Sequence, residues 1–113
     1  MSGIPCIVVA SGNRTQAHAL SFIDATPDGV LPEARLSAAL AQTLCTLAGT
    51  YDAVATPEQQ TAATNVMASF NTEADKLDVS RRVDPRSVCA FQALCKRFNT
   101  EAQAIIDSIL ANP

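Results

Sequence analysis

The sequence predicts an all-α protein, an antiparallel helical bundle of three main helices preceded by a short N-terminal helix and an arm. Three observations carry this. Two segments open with a cap residue followed by proline, Thr56-Pro57 and Asp84-Pro85. Apolar residues recur at three- and four-residue steps across three long windows. The segments between those windows are short and hold turn residues, such as Thr26-Pro27-Asp28-Gly29.

Each element follows in order. Gly3–Ala10 is apolar and reads as an edge strand or an extended arm over residues 1–13, since Pro5 disfavours a central strand. Ser11-Gly12-Asn13 reads as a turn. Thr15 then caps a short helix through Ile23 that buries Leu20 and Phe22 or Ile23. Pro32 and Glu33 suit the first turn of the next helix, whose stripe is Leu36, Leu40, Leu44 and Leu47, with Gly49 as its stop. Thr56 with Gln59 forms a capping box for the third helix, which carries Ala63, Val66, Met67, Phe70, Ala74 and Leu77 on one face. Asp84, Pro85 and the Val83–Val88 staple start the fourth. Its stripe runs Val88, Phe91, Cys95, Phe98, Ala102, Ile105, Ile109, widened by Leu94, Ile106 and Leu110. At 1.5 Å per residue this helix is roughly 40 Å long. So long an element in so short a chain is expected to leave part of its face for another copy, with Phe91, Phe98, Ile105 and Ile109 as the self-association residues. No internal repeat is apparent.

Composition narrows the function classes. The 113 residues fit one domain, 48% apolar and only 17% charged. Low charge argues against disorder and leaves surface to be covered by a partner. No stretch approaches the ~20 apolar residues of a membrane span. The apolar start is short and has no basic residue before it, so a cytoplasmic or nucleocytoplasmic protein without a signal peptide is expected. Cys6, Cys45, Cys89 and Cys95 form no CxxC pair, and His18 is the one histidine. Zinc spacing, a nucleophile–base pair and a Gly-rich phosphate loop are all missing, so neither catalysis nor a cofactor is expected.

The net charge of −3 is unevenly placed: six of the eight bases lie between Lys76 and Arg97 with only Asp78 and Asp84 as acids, a local +4. The segment Leu77-Asp78-Val79-Ser80-Arg81-Arg82-Val83-Asp84-Pro85-Arg86 joins the two best-marked helices. Two readings are open. Arg81 and Arg82 pair with Asp78 and Glu73 across the hinge, or Arg81, Arg82 and Arg86 gather phosphate at the helix N-terminus, partly neutralised by Asp84.

This segment also resembles the coat proteins of rod-shaped plant viruses of the tobacco mosaic virus type. Leu77-Asp78-x-Ser80-Arg81-Arg82-Val83-Asp84 is similar to the family's run Leu-Asp-x-Ser/Thr-Arg-Arg-Val-Asp at the start of its long inner helix. Upstream, Phe22, Leu44-Cys45-Thr46, Gly49, Gln59-Gln60 and Phe70 match in order. The family is longer: it carries a small sheet, a helix and an inner loop between its second helix and the arginine run, where here Phe70 and Leu77 are only seven residues apart. The aromatic-rich tail is also missing. The resemblance implies a structural protein that polymerises around single-stranded RNA in a virion or the host cytoplasm. Arg81, Arg82 and Arg86 would then lie toward the phosphates and Asp84 near the RNA. The alternative is a small homo-oligomeric interaction module that binds no nucleic acid.

Overall fold

A computed structural model describes residues 4–26, 28–29, 31–77 and 85–113, with residues 4–6 described for the backbone alone. These residues form four packed α-helices and, among them, no strand: α1 (Ile4–Ala25), α2 (Pro32–Ala48), α3 (Pro57–Asp75) and α4 (Pro85–Leu110).

The start signals of the later helices are realised. Thr56 accepts from the Gln59 N–H while the Gln59 side chain accepts from the Thr56 N–H, a complete capping box before Pro57. Pro32 and Pro85 open α2 and α4, where a missing N–H costs nothing. Asp84 and Val83, expected to cap and staple α4, lie outside the described residues. Gly29, at φ 62°, closes the turn after α1, its N–H donating to the Thr26 carbonyl. Gly49 ends α2 for a different reason. Its φ is −105°, and a Cβ there would press on the Cys45 carbonyl and Val9.

The N-terminal expectation needs correcting. Ile4–Ala10 is neither strand nor extended arm, and Ser11-Gly12-Asn13 is not a turn. They are the first half of one 22-residue helix. Pro5 sits in the first turn, where proline is tolerated, and Gly12 is kept helical by what it packs on. There α1 meets α2 so closely that a Cβ on Gly12 would collide with the Cys45 Sγ. Thr15 is not a cap but a fully buried residue in mid-helix. The α2 stripe is also rotated from expectation: Ala34, Ser37, Leu40, Ala41, Leu44 and Ala48 are buried, while Leu36 is exposed.

Contacts fix the directions of the helices. Gly12 faces Ala41 and Cys45, and Val8 faces Gly49, so α1 and α2 run oppositely. Thr15 meets Asn71 and His18 meets Asp75, so α1 and α3 run together. Glu33 meets Gln92 and Ser37 meets Asn99, so α2 and α4 also run together. Gln59 meets Ser108 and Phe70 meets Phe98, so α3 and α4 are opposed. The cyclic order is α1, α2, α4, α3. The aromatic centre of the core is Phe22 stacked on Phe91 at 3.8 Å, with Phe70 edge-on to Phe91 and tilted against Phe98.

Two polar clamps join the hairpins, one around the buried Asn71 and one around the half-buried Asn99, and they are copies of each other. Thr15 Oγ1 lies 3.1 Å from the Ser11 carbonyl and donates to Asn71 Oδ1 at 3.0 Å, while Asn71 Nδ2 donates to that same carbonyl. Ser37 Oγ lies 3.0 Å from the Glu33 carbonyl and donates to Asn99 Oδ1 at 2.6 Å, while Asn99 Nδ2 donates to the Glu33 carbonyl. The clamps are equivalent under exchange of α1 with α2 and of α3 with α4. Phe-Asn-Thr-Glu-Ala stands at both Phe70–Ala74 and Phe98–Ala102, and the same spacing relates Pro57 to Pro85. It also maps the buried Ala63, Val66, Met67, Phe70 and Ala74 onto Phe91, Leu94, Cys95, Phe98 and Ala102. The chain therefore has an internal repeat after all, carried by burial and by one pentapeptide rather than by overall similarity.

Candidate functional site: the hinge end

The helix directions gather the described bases into one half of the 44 Å long molecule. Arg14, Arg35, Lys76, Arg86, Lys96 and Arg97 all lie in the half that holds the C-terminal turns of α3 and the N-terminal half of α4, with Asp24, Asp28, Glu33, Glu73 and Asp75. The far half carries Asp52, Glu58, Glu101 and Asp107 and, among the described residues, no base.

Of the expected RNA-binding residues, Arg81, Arg82 and Asp84 lie outside the described residues. Arg86 is exposed in the first turn of α4 and has no ion-pair partner among the described residues. Glu73, one of the acids expected to pair with the hinge arginines, is engaged by Lys76 at 2.8 Å. The hydrogen bond and charge of Lys76, helped by Arg97, hold the Glu73 carboxyl below its usual range.

The expected self-association residues do other work. Phe91, Phe98 and Ile109 are buried in the chain's own core, and Ile105 is half-buried against it. α4 is covered by α2 and α3, which pack along it from two sides, and from across the bundle Phe22 of α1 stacks on Phe91. The apolar side chains left outside are elsewhere: Ile7, Val9 and Leu20 on α1, Leu36 on α2, Tyr51 and Val54 in the far-end loop, and Leu110 on α4. That α1 is apolar on both faces is the signal by which a second surface could have been found in the sequence.

Between α3 and α4 at the hinge end runs an open groove of about 350 Å³, lined by Glu73, Lys76, Leu77, Ala90, Ala93, Leu94 and Arg97. Its floor is apolar and its rim carries two cations and one acid. The internal repeat supplies a control. The positions equivalent to Lys76, Arg97, Lys96 and Arg86 hold Ala104, Ser69, Ala68 and Glu58. The repeated framework thus does not require the bases.

Comparison with protein-family models, with curated proteins and with solved structures finds no match for the chain. The chemistry of the site therefore rests on its own residues.

No group of three or more His, Cys, Asp or Glu among the described residues can hold a metal ion, and no described helix is long and apolar enough to cross a membrane. Cys45, Cys89 and Cys95 are free thiols, of which Cys89 is exposed. Burial raises the Cys45 thiol and pushes Cys95 up to about 11, so these two are poor nucleophiles at neutral pH.

His18 has a partner: Asp75 receives His18 Nε2 at 3.1 Å and Arg14 at 2.7 Å, with the Phe70 ring edge-on to the imidazole. Desolvation lowers the His18 pKa below its ordinary 6.5, outweighing Asp75, and Arg14 pushes the same way. The folded chain thus takes up this proton less readily than the unfolded chain. Stability contributed by neutral His18 is present above pH 6.5 and is lost as pH falls through the window below it. Urea unfolding between pH 7.5 and 5 is expected to show this decline, and His18→Gln to flatten it. An equal slope in the variant would assign the decline to other groups.

Proposed function

We propose that the chain is a self-assembling structural protein that packages single-stranded RNA, with the hinge end turned toward the RNA and the acidic end away from it, as in the coat proteins its hinge resembles. The observation that carries this reading is the division of charge along the long axis: every described base lies in the hinge half, and only acids lie in the far half. A polyanion meets one end and is repelled by the other. Arg81 and Arg82, which the sequence places in the same hinge, add guanidinium forks suited to phosphate. The flanks suit close packing of copies. α3 carries no charge from Gln59 to Thr72, and α2 none from Leu36 onward. A net acidic subunit is compatible with this role, because each copy meets only a few phosphates and lateral packing supplies the rest of the affinity.

The test is sedimentation and negative-stain microscopy of the purified chain with and without single-stranded RNA. Rods or discs are expected, with RNA affinity that falls with salt. Arg81→Ala/Arg82→Ala should reduce the slope of log affinity against log salt by roughly 1.4, about 0.7 for each phosphate that is no longer neutralised. Protein that stays monomeric or dimeric at every pH and salt, with and without RNA, sinks the reading.

The second reading is a homo-oligomeric interaction module without nucleic-acid binding, favoured by the exposed Ile7, Val9 and Leu20 of α1. It requires one discrete oligomer whose mass RNA does not change.

A further inference from the structure

The hinge groove and the far end of the molecule are complementary. The groove offers an apolar floor of Leu77, Ala90, Ala93 and Leu94, with the Lys76–Glu73 ion pair and the cation Arg97 on its rim. The far end offers the opposite. There Leu110, 66% exposed, projects from the last turn of α4, and Asp107, one turn earlier, shares its outward face. Asp52 and Glu58 lie at the same end, beside the exposed Tyr51 and Val54.

We infer that the Lys76–Arg97 groove is the docking site for the C-terminal turns of α4 of a second copy of this chain, with Leu110 on the apolar floor and Asp107 against Arg97, the rim cation without an ion-pair partner among the described residues. The interface rests on the self-assembly reading above and specifies how copies join.

Charge selects this occupant and this polarity. Two far ends brought together would oppose acid to acid with no described base between them, and two hinge grooves would oppose their cations. Only groove against far end pairs unlike charges. Nucleic acid fits the groove less well, because its floor has aliphatic side chains and no aromatic ring on which a base can stack. The internal repeat argues the same way. The far-end position equivalent to Lys76 is Ala104, and the mid-bundle position equivalent to Arg97 is Ser69, so the repeated framework does not itself call for these two cations. A groove-to-end interface is heterologous, and it propagates into a ring or a filament rather than closing as a two-fold dimer.

Two variants test it, both at exposed positions of the full chain. Leu110→Asp removes the projecting group and leaves the groove. Lys76→Glu/Arg97→Glu reverses the groove and leaves the projecting group. Circular dichroism establishes that each is folded, and sedimentation at low and high salt gives the mass. Wild-type chain is expected to exceed a dimer at low salt and to shrink as salt rises. Each variant alone should be monomeric. An equimolar mixture should form a dimer and stop there, since one complementary interface is restored and neither outer end can extend. If both folded variants assemble as the wild type does, or if their mixture stays monomeric, the interface is wrong. In the first case self-assembly itself still stands. A wild type that is monomeric without RNA but forms rods with it overturns this interface and leaves the RNA reading intact. A wild type monomeric in both conditions overturns both.

Discussion

Phe91→Ala is expected to cost about 3–5 kcal/mol of folding stability, the range for deleting a buried aromatic side chain. Phe91 is fully buried, stacked on Phe22 at 3.8 Å and edge-on to Phe70 at 5.6 Å, so truncation opens a void where three helices meet. Against a total stability of about 5–15 kcal/mol for an ordinary domain, that brings the chain close to unfolding. Thermal or urea unfolding followed by circular dichroism measures it. The result separates two roles for this residue. A core position loses folded structure and mass in solution together. A position at a boundary between copies would lose mass with the unfolding midpoint unchanged, and that outcome would contradict the burial described here.

The second large effect should change sign with its background. Glycine within a helix is ordinarily worse than alanine by about 1 kcal/mol, so Gly12→Ala taken alone on a solvent-facing helix would stabilise. Here the new methyl collides with the Cys45 Sγ, while Met67 Sδ and the Ala41 carbonyl remain at ordinary van der Waals distances. Overpacking costs about 1–3 kcal/mol, so the clash wins and Gly12→Ala is expected to destabilise. In a Cys45→Ala chain the obstructing sulfur is gone, and the same substitution is expected to be neutral or to stabilise by up to about 1 kcal/mol. A double-mutant cycle by urea unfolding measures the coupling. Additivity between the two sites would show that α1 and α2 do not touch at Gly12.

How much of this is legible in the sequence depends on where the signal is local. The capping box at Thr56 and Gln59 and the prolines opening α2, α3 and α4 are short-range devices, and each stands where the residues place it. The segment before Arg14 misleads because Pro5, Gly12 and the run Ile7-Val8-Val9 favour other structures locally. They become helix because Val8 and Gly12 are held against Cys45 and Gly49 on α2, neighbours that no local pattern announces. A second misdirection is the length of α4: read alone it looks too long to be covered, so Phe91 and Phe98 look surplus to the chain's own core, whereas α2 and α3 pack along it. The clamp residues are invisible for another reason. Thr15, Ser37, Asn71 and Asn99 are polar, and a search for apolar stripes passes over them. The repeated Phe-Asn-Thr-Glu-Ala is in plain view, and comparing the two cap-Pro starts in register exposes it. At the hinge, the sequence identifies which cations are present. Only the directions of the helices reveal that the opposite half lacks them.

The twin asparagine clamps have a consequence for the shape of the whole. Each local hairpin, α1 with α2 and α3 with α4, meets the other along seams whose interior, apart from the clamps, is filled by methyl groups and rings, surfaces that tolerate sliding, with Arg14 and His18 on Asp75 and Gln92 on Glu33 at their edges. Slippage by a single helical turn, about 5.4 Å, would strip both asparagines of their partners at once and leave the buried amide of Asn71 without a partner. The halves therefore have one alignment rather than several, and the particle they make is a block of fixed dimensions.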